Sequence, residues 1–315
     1  MRYVTIICIA LLIAIAITAQ EPEPTEEVTE EAPIVVNSEP AFSVEGDGVM
    51  LDIYFNSLRQ GRAGLLRLQG DDIERASATV SIQTVEFAQY EGRDGWWAII
   101  SVDMTQTIRL YDLIVTVEQA NADEPQILGA QFNVISGGFI RQTVQLAPDD
   151  NLNRLLDPEI EQAELERIFD IASGVSDEPF WGENSFVAPS PNAELTSPFG
   201  AVRVFNEELQ TVHTGWDFNA PTGTPLMATA AGEVVFAGQL DIRGNYVLVN
   251  HGRGIYSGYA HLSVIFVTQG QPVSEGQVVG TVGSTGRSSS AHAHFEMIAN
   301  GVWIDATDFV QMYVP

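Results

Sequence analysis

From Ala41 to about Leu146 apolar and polar residues alternate in short runs bounded by Gly, Asp and Asn, a pattern that suits strands with one buried face and not helices. The runs at 49–55, 78–87, 97–104, 108–117 and 128–134 recur at regular spacing and predict a small β-sandwich-like domain over residues 41–146. This stretch contains no histidine and no polar cluster that suggests chemistry. The adjacent Trp96 and Trp97 could form a carbohydrate-stacking surface, but one core tryptophan beside one exposed one explains the pair equally well, and that reading is preferred.

Residues 147–192 read as a connector. Asp157, Pro158 and Glu159 supply an N-cap, a first-turn proline and a first-turn acid, and Ile160, Leu165, Ile168, Phe169 and Ala172 follow at helical spacing. One amphipathic helix is expected there, ending near Gly174. The prolines at 179, 189 and 191 then mark an extended segment lying across the next unit. After Thr196 the texture becomes strands broken by many glycines, so the whole chain is expected to be mainly β. A length of 315 residues accommodates two such units, the second over residues 193–315.

At the N-terminus Arg2 precedes an uncharged run from Tyr3 to Ala19 that ends in small residues. This reads as a signal peptide over residues 1–19, the alternative being an uncleaved anchor. A lipoprotein is disfavoured because Cys8 lies inside the apolar run. Residues 20–40, rich in Glu and Pro, are a solvated acidic tether. The expected product is exported, without a membrane span after cleavage, and extracellular, periplasmic or associated with the cell wall.

Lys+Arg number 14 against 42 Asp+Glu, a net charge of −28, and every basic residue is arginine. Such a surface repels phosphate backbones and anionic lipid, so nucleic-acid binding and polybasic membrane docking are poor readings. Without lysine there is no Schiff base, no phosphate-loop lysine and no biotinyl or lipoyl attachment point. The last point removes a swinging-arm carrier domain, which the glycine-punctuated A-G-E-V-V and G-Q-P-V-S-E-G-Q segments otherwise suggest. With Cys8 as the single cysteine, disulfides and thiolate metal sites are excluded too.

All five histidines fall after residue 196. His213 and Asp217 are four apart in H-T-G-W-D, His292 and His294 two apart in H-A-H-F-E, and His261 stands in Y-A-H-L-S. Two histidines two apart on a strand project from one face, so one can hold a metal while its neighbour faces a substrate. Two imidazoles and a carboxylate without a fourth protein ligand suit a catalytic zinc that keeps a position open for water.

At these residues the chain resembles the lysostaphin-type, LytM-like zinc endopeptidases that cut peptide bridges of bacterial peptidoglycan. The resemblance runs from about Ser197 to Val310, through S-P-F-G, H-T-G-W-D-F-N-A-P-T-G-T-P, A-G-E-V-V-F-A-G, G-N-Y-V-L-V-N-H-G, Y-A-H-L-S, V-G-S-T-G and H-A-H-F-E. It implies the lysostaphin-type (duplicated hybrid motif) fold for 193–315 and one Zn²⁺ per chain held by His213, Asp217 and His294. It also implies that His261 and His292 are the unliganded catalytic pair, serving as general base and oxyanion stabiliser while zinc-activated water attacks an amide of a peptidoglycan peptide. Ser290-Ala291 stands where the family often has Gly-Pro, and Ala293 where it usually has Leu; these changes are expected at the rim of the cleft. His251 is expected to be a hydrogen-bonded turn residue. Arg287 with Ser288 to Ser290 reads as a solvated loop or a substrate contact, and Tyr259 as a packed aromatic on the strand face of His261. A second reading of the family resemblance is a catalytically inactive member that binds and regulates a cell-wall amidase; such members lose metal ligands, and none is lost here.

Overall fold

A computed structural model describes residues 39–89, 94–148, 150–174, 179–181, 186–190 and 194–312. The signal segment and nearly all of the acidic tether lie outside them.

The described residues are mainly β. Two five-stranded sheets build the sandwich. In one, the order is Phe42–Glu45, Val49–Ile53, Ala63–Gly70, Trp96–Ser101 and Ala88–Gln89; in the other it is Ser57–Arg59, Gln126–Ile135, Leu110–Gln119, Ile73–Val80 and Gln83–Glu86. Leu51, Ile53, Leu66 and Leu68 of the first sheet pack on Leu113, Val115, Val117 and Phe132 of the second. Each such burial is worth about 1.5–3 kcal/mol before entropy is counted. The run at 78–87 is not one strand: Ser81, with φ +57°, turns the chain between Ile73–Val80 and Gln83–Glu86, leaving Ile82 at an exposed hairpin tip.

The first sheet is covered on both faces. From Ala63 to Leu66 every residue is buried, because Leu66 faces the sandwich interior while Ala63 and Leu65 join a second core shared with residues 181–312. Trp96 and Trp97 divide the same way. Trp97 is buried in the shared core and Trp96 is half-buried against the sandwich interior, so neither stands exposed.

That shared core lies on one face of an eight-stranded sheet. Its order is Glu194–Ser197, Gly215–Asn219, Ala293–Ala299, Ile255–Leu262, Asn245–Gly252, Gly232–Gln239 and Pro272–Val273, with Val302–Ile304 also pairing to Ala293–Ala299. Val247, Tyr259, Phe295 and Met297 point into the core shared with the sandwich. Tyr246, Leu248, Ala260 and Ile298 point the other way, onto the helix Pro158–Ala172. The Asp157 carboxylate caps that helix by accepting from the Glu159 N–H at 2.9 Å, and Ile168 and Ala172 bury its apolar side. A short helix, Leu152–Leu155, precedes it. Described residues of the connector contact the histidine-bearing unit: the Phe180 N–H donates to the His251 carbonyl at 2.9 Å, and Trp181 and Phe186 are buried in the shared core.

Candidate active site and metal centre

The helix-facing side of the eight-stranded sheet brings four histidines together. Asp217 on Gly215–Asn219 is the direct cross-strand partner of His294 on Ala293–Ala299, so the two side chains share that face. His213 sits just before Gly215–Asn219, with its N–H donating to the Ala201 carbonyl and its carbonyl accepting from the Gly200 N–H. His292, two residues before His294, emerges on the same face, and its ring lies 4.9 Å from that of His261. His261 reaches this face by a different route. A bulge interrupts its pairing with Asn245–Gly252, and its φ of +58° breaks the alternation. Tyr259 therefore does not share its face: it is buried on the opposite side against Phe295, with its hydroxyl accepting from the Thr229 N–H at 2.8 Å.

The ligand-type atoms of His213, Asp217 and His294 converge, all within 4.8 Å of one another. His213 Nε2 and Asp217 Oδ1 are 3.0 Å apart, His213 Nε2 and His294 Nδ1 3.0 Å, and His294 Nδ1 and Asp217 Oδ1 2.9 Å. This triangle is close to the roughly 3.3 Å that separates two ligands around tetrahedral zinc.

Hydrogen bonds to the other nitrogen of each ring set the tautomers. The Nδ1–H of His213 donates to the Pro198 carbonyl at 2.8 Å, and the Nε2–H of His294 to Glu296 Oε2 at 3.1 Å. The Nδ1–H of His261 donates to the Thr285 carbonyl at 2.7 Å, and that of His292 to the Ser290 carbonyl at 2.8 Å. Each ring then turns a bare nitrogen toward the cluster, the arrangement in which an imidazole can take up a metal or a proton. His292 Nε2 is buried, 3.5 Å from Asp217 Oδ1, with no hydrogen-bond partner. Gly244, at φ +65°, is required here because a Cβ would stand 2.4 Å from Thr285, whose carbonyl holds His261.

Electrostatics favour a cation. Burial alone would raise the Asp217 pKa, but His213, His294 and Arg203 hold it well below the usual carboxylate range. Glu296 behaves likewise, its burial outweighed by Arg243 and His294. Burial pushes His213 down to about 4 and His261 well below an ordinary histidine. Burial also lowers His294, but the hydrogen bonds to Asp217 and Glu296 outweigh it and its pKa is raised. Among the described residues the carboxylates of Asp217, Glu296 and Glu164 pair with the guanidiniums of half-buried Arg203 and buried Arg243. A divalent ion on the triad would offset negative charge, and the N, O and N donors suit zinc.

Two openings flank the cluster. A groove of about 580 Å³ is lined by Asp217, His292, Arg203, Gln142 and Ser288 to Ala291. On the other side a space of only about 50 Å³ lies between His213, His261, His294 and Glu161 of the connecting helix.

Other residues singled out by sequence fall elsewhere. His251 is not in a turn but buried in Asn245–Gly252, its Nδ1–H donating to the Ala231 carbonyl at 2.8 Å and its Nε2 accepting from Ser257 Oγ at 2.7 Å. Arg287 is no solvated side chain: it forms a two-pronged pair with Glu161 at 2.8 and 2.7 Å and lies over Phe205. Ala293 is fully buried in the shared core and not at the rim, because alternation turns it away from its histidine neighbours; Ser290 and Ala291 do border the groove. Sequence reasoning did not single out Arg203, which pairs with Asp217 Oδ2, nor Glu296, which holds His294. Glu296 could have been found, since it lies two residues beyond His294 on the same strand face.

Comparison with known proteins follows the same segment. Residues 211–306 match Peptidase family M23. A DD-carboxypeptidase/endopeptidase, Mpg, of Neisseria meningitidis is 41% identical over 115 residues, 36% of this chain and 26% of that protein. Peptidoglycan DD-endopeptidase ShyC of Vibrio cholerae is 27% identical over 230 residues, 72% of this chain and 48% of that one. The chain thus spans about a quarter to a half of the length of these relatives. A Pseudomonas aeruginosa crystal structure described as an M23 peptidase superposes with a TM-score of 0.59 at 26% identity, covering 81% of this chain and 95% of that one.

Proposed function

We propose that this chain, which carries a peptidase family M23 domain over residues 211–306, is an exported zinc metalloendopeptidase that hydrolyses DD peptide bonds in peptidoglycan cross-bridges. The observation that carries this reading is the set of four imidazoles whose pinned tautomers turn bare nitrogens toward one carboxylate. In it His213 Nε2, Asp217 Oδ1 and His294 Nδ1 would hold one zinc ion. Zinc, when bound, supplies a Lewis acid for the scissile carbonyl and lowers the pKa of water to about 7.

His261 and His292 remain off the ion. With each Nδ1–H engaged by a backbone carbonyl, the Nε2 atoms are the ones that exchange protons. One takes the proton of the attacking water and returns it to the leaving amine nitrogen. Its partner, when protonated at Nε2, donates that N–H to the negative charge that develops on the carbonyl oxygen. The depressed pKa of His261 keeps that ring an acceptor at neutral pH. The groove beside His292 receives the peptide, and the names of the relatives support a DD bond as its target.

A regulatory, inactive role is the weaker reading because the full ligand set is retained. Digestion of D,D-cross-linked muropeptide dimers by the zinc-loaded protein, followed by mass spectrometry, separates the two. Monomers are the expected product. Intact dimers beside a protein that carries zinc would favour the regulator.

A further inference from the structure

The acid Glu164 belongs to the connecting helix, 47 residues before the segment matched to the peptidase family begins, yet it is buried on the catalytic sheet. A buried carboxylate is costly unless every oxygen is satisfied, and an apolar side chain would cover the sheet at lower cost. Its contacts explain its presence. Glu164 Oε2 accepts from the Ile242 N–H at 2.7 Å, and Oε1 accepts from the Arg243 N–H at 3.0 Å and from Arg243 Nη1 at 3.1 Å. The helix thus clamps both the backbone and the side chain of one loop.

Two branches leave that loop for the active site. In the first, the Arg243 carbonyl accepts from the His261 N–H at 2.8 Å, and the Ile242 carbonyl accepts from the Arg287 N–H at 2.8 Å. His261 adopts a left-handed conformation that a non-glycine residue keeps only when its surroundings hold it. In the second, Arg243 grips Glu296 with two donors, Nε to Oε1 at 2.7 Å and Nη2 to Oε2 at 3.0 Å. Tyr246 and Thr214 hydroxyls donate to the same carboxylate at 2.7 and 2.6 Å. Glu296 Oε2 in turn accepts from His294 Nε2–H.

We propose that Glu164 is a positioning residue of the active site, holding the 242–243 loop so that His261 keeps its aim and Glu296 keeps the tautomer and orientation of His294. This rests on the functional reading given above. Glu164 is then the point through which the helix supports the active site, and the loss of its carboxylate would be felt at the metal as well as in stability.

The test uses the full chain, with zinc affinity measured by chelator competition, the Co²⁺-substituted visible spectrum, and kcat and KM on muropeptide dimers. Glu164→Gln keeps the shape but turns an amide toward loop donors. It should weaken zinc about 10-fold, alter the Co²⁺ spectrum and lower kcat about 10-fold with KM nearly unchanged. Arg243→Lys, which keeps the charge but not the forked grip, should move the same readouts and covers the case in which Glu164→Gln does not fold. Ile168→Ala, a buried apolar position on the same helix, should lower Tm while leaving zinc affinity, spectrum and kcat at wild-type values. If Glu164→Gln and Arg243→Lys lose only Tm, the positioning role is overturned while the functional reading stands. A wild-type protein that binds neither ion overturns both.

Discussion

The sandwich and the histidine-bearing sheet are built from the same short alternating strands, yet they bury different chemistry. Among the described residues of the sandwich the buried polar residue is Asp52, satisfied by the Ser43 hydroxyl at 2.6 Å. The histidine-bearing unit buries His213, Asp217, Arg243, His251, His261, His294 and Glu296, joined by Glu164 from the connecting helix. Burying such groups costs free energy that only specific partners offset, whereas burying Leu51 or Leu66 is favourable in itself. The difference teaches that the chemistry is confined to one region while both regions supply apolar burial, and the two meet at the core containing Trp97 and Phe295.

That separation can be broken experimentally, and the strongest attempt is at the metal. Asp217→Ala should reduce muropeptide turnover to the uncatalysed background, and added zinc should not restore it, whereas zinc should restore chelator-stripped wild type. Substantial turnover in Asp217→Ala would remove the carboxylate from the ligand set.

His261→Ala and His292→Ala should each lower kcat by about 10²–10⁴-fold. The double variant should fall short of the product of the two losses, since both residues serve one tetrahedral intermediate. Losses that multiply fully would mean that the two rings act in independent steps.

In the sandwich, Leu66→Ala should cost about 2–5 kcal/mol in chemical denaturation while leaving kcat per folded molecule unchanged. Leu65→Ala, on the opposite face of the same strand, probes the shared core instead. A fall in kcat for Leu66→Ala, with no change in folded fraction, would show that the two regions are coupled more tightly than their cores suggest.

A smaller effect sharpens the account of His251, whose pKa burial lowers to about 4. The neutral ring is favoured in the folded state, so its contribution is complete above the ordinary pKa of 6.5 and is lost as pH falls from there toward 4, where the unfolded chain binds the proton first. Over that window the linkage is worth up to about 3 kcal/mol. Denaturation of His251→Gln should therefore show a flatter pH dependence between 6.5 and 4 than wild type, with kcat little changed. Equal slopes would assign the acid sensitivity to other groups.

Much of this architecture was legible because alternation and capping are local signals. Leu110–Gln119 alternates cleanly because one face is solvated, and Asp157-Pro158-Glu159 announced its helix. Near-continuous apolar stretches such as W-W-A-I-I were harder, since a strand covered on both faces loses its period; that is why one of Trp96 and Trp97 was expected to be exposed. The hairpin at Ser81 lacks the Gly or Asn that usually marks such a turn. Spacing alone put Tyr259 on the face of His261, because nothing in the sequence betrays a bulge with a left-handed histidine. Glu164 and Arg243 carry no sequence signal of their own; their burial depends on a helix meeting a loop 78 residues away, which no local pattern encodes.

The most direct test is the zinc content of wild type and of the His213→Ala, His261→Ala, His292→Ala and His294→Ala variants, purified alike and measured by mass spectrometry of the metal. About one zinc per chain is predicted for wild type, His261→Ala and His292→Ala, with near-complete loss in His213→Ala and His294→Ala. If His292→Ala loses the zinc and His294→Ala keeps it, ligand and catalyst in the H-A-H pair must be exchanged and the account of the site is wrong.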